Sequence, residues 1–165
     1  MVNKIYVDPE TPITFGSNSD TVTFTPKNVA TGAGRISAQH DRGSGAKAMR
    51  YRWESFSKVG SNATLGYGID IFIATAHKSA SEIDDGLGAS DAAVSGATLV
   101  SNSRYIGTIK VNGSGANVGP WQASGEFEIL ARYLSVVWIN NTGQTLTNVD
   151  ADHQFTLIPM PDEIQ

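Results

Sequence analysis

The side chains that most often carry catalysis are sparse in this sequence and form no recognisable motif. The three histidines, His40, His77 and His153, are far apart, and no two have a spacing typical of shared metal ligands. Cysteine is absent, which removes thiolate nucleophiles, thiolate zinc sites and disulfides. No serine lies in a Gly-x-Ser-x-Gly elbow, and the loops GSGAKA and NGSGAN lack the Gly-Lys-Ser/Thr ending of a phosphate loop. We therefore expect histidines that are at the surface or hydrogen-bonded within strands, and ordinary glycine turns.

Carboxylates are the remaining candidates for hydrolytic chemistry. Glu126 and Glu128 lie two residues apart in a strand-like segment, which places them on one face about 7 Å apart along the backbone. With Glu54 they supply a possible glycosidase pair. The same spacing is common on any polar strand face, so an enzyme is the weaker interpretation.

An acidic loop, EIDDGLGASD, offers oxygen ligands of the kind that calcium prefers. Asp84, Asp85 and Asp91 are its candidates, but their spacing differs from that of an EF-hand loop. A solvated acidic loop is the favoured interpretation.

The three tryptophans are candidates for stacking against sugar rings. Trp53 and Trp138 lie in strongly apolar strand-like segments and are expected in the core or in an interface. Trp121, in GPWQ after a loop, is the one expected to be free to contact a ligand. Carbohydrate binding at Trp121 is therefore an alternative function for the chain.

Composition narrows the class of protein. The chain has 165 residues, with 40% hydrophobic and only 17% charged residues, and a formal net charge of −4. This favours sheets joined by turns over amphipathic helices. Without a Lys/Arg cluster, nucleic acid is not an expected partner. No stretch approaches the roughly 18 apolar residues of a membrane span, and the N-terminus lacks a signal-peptide core, so neither membrane insertion nor secretion is expected.

Period-two alternation recurs along the chain and predicts many short strands. In AMRYRWESFSKV, the set Met49, Tyr51 and Trp53 is expected to face a core, while Arg52 and Glu54 face away from it. Further strands are predicted at DTVTFTP, GRISAQ, GYGIDIFIATA, RYIGTIKV, ASGEFEI, RYLSVVWIN, QTLTNV and HQFTLI. The segments AMRYRWESFSKV and GYGIDIFIATA are expected to form a hairpin, and a helical turn is expected near Ser90 to Val94.

These elements predict an all-β protein: one β-sandwich domain over residues 1–165, jelly-roll-like, with an N-terminal arm (1–14) and a C-terminal tail (159–165). GIDIFIATA and YLSVVWIN are apolar on both faces, whereas a two-layer sandwich buries only one face of each sheet. Either the long loop SASEIDDGLGASDAAVSG or a neighbouring subunit is expected to cover the second face.

Four segments together resemble a family of small virion proteins of tailed bacteriophages. A Ser-Ala-Gln-x-Asp-Arg-Gly segment (Ser37 to Gly43) precedes an Arg-Tyr-x-Trp strand (Arg50 to Trp53). An Arg-Tyr-x-Ser-Val-Val strand (Arg132 to Val137) follows, and the chain ends in Pro-x-Pro-Asp-Glu-Ile-Gln (Pro159 to Gln165). The jelly-roll form predicted above rests partly on this resemblance.

The resemblance implies a non-enzymatic part of the phage particle. Size, β character, charge and lack of cysteine are similar to capsid cement, or decoration, proteins, which stabilise the head by bridging subunits of the major capsid protein. A homo-oligomer is implied, a trimer rather than a dimer, on the exterior of the capsid after synthesis in the bacterial cytoplasm. No cofactor is implied. A phage tail or adhesion module that binds host carbohydrate is the alternative.

The two terminal segments are the expected partner-binding elements. Pro159 and Pro161 lack a backbone donor and are expected to end the last strand and stiffen the tail. The apolar residues near the N-terminus suit an arm that adds a strand to a neighbour. The expected partner-binding residues are Ile5, Tyr6, Val7, Met160, Asp162, Glu163, Ile164 and Gln165. The opposite interpretation is a pair of frayed ends without a role.

Overall fold

A computed structural model of the chain describes residues 10–17, 21–44, 47–77, 90–95, 103–113 and 119–160, and these form two β-sheets packed face to face. The strands are β1 (Ile13–Gly16), β2 (Val22–Thr23), β3 (Ala33–Ile36), β4 (His40–Asp41), β5 (Arg50–Ser57), β6 (Gly68–Ala76), β7 (Ala92–Ser95), β8 (Ser103–Lys110), β9 (Trp121–Glu128), β10 (Tyr133–Asn140) and β11 (Gln154–Met160). Within these ranges a single 3₁₀ turn, Asp150–Asp152, is the one helical element. The predicted all-β sandwich is confirmed.

The strand order separates segments that the sequence suggested were neighbours. One sheet has the order β2-β1-β11-β5-β9, and the other has the order β7-β3-β10-β6-β8, with β4 paired to β10. The predicted hairpin of β5 and β6 is wrong, because the two strands lie in different sheets. Each carries a bulky apolar face, and both faces contribute to the same core cluster between the sheets. The predicted strand QTLTNV is also not formed, since its described pairing is one isolated bridge from Leu146 to Val59.

Aromatic and branched side chains from both sheets fill the space between them. Trp53 on β5 stacks on Phe155 of β11 with ring centroids 6.0 Å apart, and Trp138 on β10 meets Phe24 edge-to-face at 5.1 Å. Burying one such large apolar side chain contributes about 1.5–3 kcal/mol to folding. Trp53 and Trp138, expected in the core or in an interface, thus lie in the core.

A second apolar cluster lies on the other face of the six-stranded sheet. Ile36, Val137 and Ile139 are buried there, and Val94 packs against them. Val94 belongs to β7, which pairs with β3, so the predicted helical turn at Ser90 to Val94 is wrong. A β-branched residue packed on a sheet face suits a strand better than a helical turn. Residues 78–89 of the long loop lie outside the described ranges.

The described chain begins and ends at the same end of the sandwich. β1 runs antiparallel to β11, with Ile13 opposite Leu157, and β11 continues to Met160, opposite Arg50. Ile13 and Thr14 therefore belong to the sheet and not to an N-terminal arm, and Pro159 and Met160 do not belong to a tail.

The prediction that Pro159 ends the last strand is wrong. It lies within β11, opposite Tyr51 of β5. Pairing with β1 stops at Ile13, opposite Leu157, so Pro159 lies beyond the last β1 partner and needs no backbone donor on that side.

Candidate functional site

Most of the predicted partner-binding residues lie outside the described ranges. These are Ile5, Tyr6, Val7, Asp162, Glu163, Ile164 and Gln165. Met160 is described: it is partly buried at the end of β11. It marks the place from which the C-terminal residues continue.

Two exposed apolar side chains lie at the same end of the sandwich as Met160. We call the end of the sandwich formed by Glu10, Met49, Leu130 and Met160 the termini end. Met49 is 52% exposed and Leu130 is 79% exposed. The Ile129 N–H donates to the Met49 carbonyl at 2.8 Å, which joins their two connecting segments. Met49 and Leu130 border one surface depression of about 220 Å³. The expected core position of Met49 is wrong, because β5 begins only at Arg50.

A buried arginine holds the termini end together from beneath. The Arg42 guanidinium donates to the carbonyls of Ile129 (3.2 Å), Ala131 (2.9 Å) and Ala48. It also donates through Nε to the Tyr51 hydroxyl at 3.0 Å. The planar group thereby links the β4–β5 connection to the β9–β10 connection, which a lysine could not do with one ammonium group. Arg42 thus fixes the backbone on which Met49 and Leu130 are carried.

The same network holds the beginning of the described chain. The Tyr51 hydroxyl donates to Glu10 Oε2 at 2.7 Å, and the Ala48 N–H donates to the same oxygen at 3.1 Å. Lys47 Nζ lies 3.6 Å from the other carboxylate oxygen. Burial raises the pKa of Tyr51, and the hydrogen bond to Glu10 raises it further. The phenol therefore stays a neutral donor at physiological pH and keeps Glu10 against the sandwich.

The segments that carry the family resemblance contact each other here. Arg132 donates to both carboxylate oxygens of Asp41 at 2.8 Å, and the Gly43 N–H donates to Asp41 at 2.7 Å. The bond from Arg132 is the main reason that the pKa of Asp41 falls to about 2. Ser37 Oγ accepts from the Val136 N–H at 3.0 Å. These contacts therefore hold the segment Ser37 to Gly43 against the segment Arg132 to Val137.

Of the two positions expected for the histidines, surface or hydrogen-bonded interior, His153 occupies the second. Its Nε2 donates to the Thr147 carbonyl at 3.1 Å, because a carbonyl can only accept. Nδ1 therefore accepts from the Ser57 hydroxyl at 2.9 Å, which defines the neutral tautomer. Both ring nitrogens are thus engaged in the core. Among the described residues, no group of three or more His, Asp or Glu is arranged to hold a metal ion.

This histidine makes stability depend on pH. Burial lowers the pKa of His153 below its ordinary 6.5, partly opposed by the Thr147 hydrogen bond and by Asp152 and Asp150. The unfolded state therefore binds more protons than the folded state below pH 6.5, and stability falls as pH decreases through that value. Urea unfolding at pH 7.5, 6.5 and 5.5 should show this loss. A His153→Gln variant should lose stability less steeply over that range, although His40, whose pKa burial also lowers, keeps part of the slope. An unchanged slope would contradict the assignment.

The candidate catalytic carboxylates lie on an open sheet face. Glu126 pairs with Arg50 at 3.0 Å and Glu54 pairs with Arg52 at 2.8 Å. Glu128 lies opposite Arg50 in the register of β5 and β9. These pairs are on the outer face of the five-stranded sheet, where they alternate with the buried residues of the same strands.

The candidate calcium ligand Asp91 is engaged in another contact. Arg35 donates to both of its carboxylate oxygens at 2.8 Å, and the Thr25 hydroxyl donates to one of them. Asp84 and Asp85 lie outside the described residues.

The expectation that Trp121 is free to contact a ligand is wrong. It is 5% exposed and belongs to the core between the sheets. Trp121 is the first residue of β9, opposite the buried Ser57, and its side chain points inward like those of the other core positions of β9. A sugar ring cannot stack on it without opening the sandwich.

No protein-family model matches the chain, and a search of curated proteins found no match. The described part of the chain contains no helix long and apolar enough to cross a membrane.

Proposed function

We propose that this chain is a non-enzymatic structural protein of a tailed-phage virion, a cement protein that bridges major capsid protein subunits on the head exterior. The strand order supports the jelly-roll form of this proposal. Strands β1-β11-β5-β9 face strands β3-β10-β6-β8, and the chain crosses between the sheets after β2, β4, β5, β8, β9 and β10. Eight strands in this order correspond to two Greek keys, an arrangement that occurs in viral capsid proteins.

The observation that carries the proposal is the termini end. The described chain begins at Glu10 and ends at Met160 beside two exposed apolar side chains, Met49 and Leu130. The expected partner-binding residues 5–7 and 162–165 continue from these two points. Exposed apolar groups next to two peptide segments suit a protein contact, with Arg42 holding the surface rigid beneath them.

Attachment to a symmetric shell strengthens weak contacts. A homo-oligomer, a trimer in preference to a dimer, would present one termini end from each subunit to neighbouring capsid subunits. Linked contacts raise the effective concentration of each further contact, so the oligomer binds far more tightly than one subunit. The stabilisation is passive and requires no turnover.

The proposal predicts that changes at the termini end weaken capsid attachment without unfolding the domain. Co-sedimentation with phage particles that lack this protein measures the binding. The double substitution Met49→Asp and Leu130→Asp should weaken it about tenfold or more, because each places a charge in an apolar contact. Deleting residues 161–165, which leaves β11 intact, should weaken it as well.

Leu65 supplies the matched control. It is 59% exposed and lies in the connection between β5 and β6, at the opposite end of the sandwich. Leu65→Asp should bind as the unchanged protein does. Equal binding by all variants would contradict the assignment of the termini end.

Immunogold electron microscopy of intact virions tests the location. Label over the head surface supports the cement protein. Label confined to the tail, or no label, contradicts it.

A further inference from the structure

The outer face of the five-stranded sheet has a depression of about 400 Å³. None of its lining residues belongs to the termini end. Phe56 of β5 lies at one side, between Gln122 of β9 and Gln154 of β11 in the strand register. In the next row on this face, Glu54 lies between Ser124 and Thr156, whose short side chains leave space above the sheet. Arg52, one row further, closes the other side and pairs with Glu54 at 2.8 Å.

The polar groups around this depression have unused hydrogen-bonding capacity. Neither the Gln122 nor the Gln154 side chain has a hydrogen-bond partner among the residues described. Each amide offers donors and an acceptor, which together match neighbouring hydroxyl groups. Phe56 is only partly buried, so part of its ring remains accessible. An aromatic ring beside free amides is suited to a ligand with an apolar face and a polar rim.

Charge and size restrict the ligand further. The Arg52–Glu54 pair is neutral overall, and Glu54 disfavours a phosphate or a carboxylate above it. Three strands at the usual spacing span about 10 Å, and the two rows from Phe56 to Glu54 span about 7 Å. These dimensions accommodate one or two six-membered sugar rings.

From this combination we propose that the depression binds a neutral carbohydrate, with one face of a sugar ring on Phe56 and its hydroxyls on Gln122, Gln154 and Glu54. This proposal does not depend on the cement function. Phe56 lies six residues along β5 from Arg50, about 20 Å from the termini end, so the two surfaces can be occupied independently. The carbohydrate site proposed here is on the outer sheet face around Phe56 and does not involve the buried Trp121.

A glycan array containing neutral and acidic oligosaccharides tests the ligand class, and calorimetric titration with the strongest ligand measures affinity. We expect retention of neutral glycans, and a loss of about tenfold or more in affinity for Phe56→Ala. Glu128→Gln, on the same face but outside the depression, should bind normally. The double variant Gln122→Ala and Gln154→Ala should also lose affinity, and it tests the site even where Phe56→Ala fails to fold.

Failure of this proposal is distinct from failure of the capsid proposal. An array that retains no neutral glycan, or binding that survives both sets of substitutions, would overturn the carbohydrate site. The termini-end variant Met49→Asp and Leu130→Asp should retain full glycan affinity, and loss of glycan binding in that variant would also count against a separate site.

Discussion

Replacing Arg42 by methionine should lower the free energy of unfolding by about 3–5 kcal/mol, the largest effect that we expect from one substitution in this chain. Methionine is similar in length, so the cost does not come mainly from an empty cavity. It comes from the carbonyls of Ala48, Ile129 and Ala131 and the Tyr51 hydroxyl, which lose their donor in the interior. Arg42→Lys should recover only part of the loss, because one ammonium group cannot reach all of them.

Arg132 is the matched control, since it lies in the β9–β10 connection that Arg42 contacts and also carries a full charge. Its pair with Asp41 is exposed, with about half of each side chain accessible, and exposed pairs contribute little to stability because solvent screens them. Arg132→Met should therefore leave the urea midpoint nearly unchanged. If Arg42→Met and Arg132→Met lowered the free energy of unfolding equally, burial of the Arg42 hydrogen bonds would not account for their contribution to stability.

The sequence predicts well what depends on local alternation. The pattern of Arg50–Ser57 separates an apolar face from a charged face, and the structure buries Tyr51 and Trp53 while it exposes Arg52 and Glu54. The turn residues between such segments were enough to predict an all-β sandwich. Each of these predictions requires only the two-residue period of a strand.

Long-range pairing and burial were not predictable in this way. Trp121 follows a glycine-rich loop, so local context suggests exposure, yet the register of β9 with β5 turns its side chain into the core. Arg42 is polar, so sequence suggests a surface position, yet it is buried against three carbonyls from two separate connections. The wrong hairpin of β5 and β6 has the same origin, because the choice between pairing and crossing to the other sheet depends on the whole sandwich.

The depression on the five-stranded sheet was missed for a related reason. Its residues come from β5, β9 and β11, which are far apart in sequence. Phe56 and Gln154, for example, are placed side by side only by the register of β5 and β11. Local pattern did not single out Met49 and Leu130 as exposed neighbours either, since Met49 was expected in the core and Leu130 is placed by the connection between β9 and β10.

The second large effect is expected at two glycines that lie against the Trp53 indole, one from each sheet. A Cβ at Gly107 on β8 would lie 2.6 Å from Trp53 Cζ2, and a Cβ at Gly125 on β9 would lie 2.7 Å from Trp53 Nε1. The indole therefore fills the space along these two edge strands, and neither glycine leaves room for a methyl group. We expect Gly107→Ala and Gly125→Ala each to lower the free energy of unfolding by about 1–3 kcal/mol.

Gly60→Ala is the control for glycine replacement itself. The nearest atom to its added Cβ would be the Thr145 carbonyl oxygen at 3.8 Å, an ordinary contact, so the change should stay within about 0.5 kcal/mol. A double-mutant cycle with Trp53→Phe then isolates the contact, because the smaller ring makes room for the methyl group. Gly107→Ala should cost about 1 kcal/mol less in the Trp53→Phe background than in the unchanged protein. Strict additivity in urea unfolding would mean that Gly107 is required by the backbone irregularity of β8 beside Ile71 and Phe72, and not by the indole of Trp53.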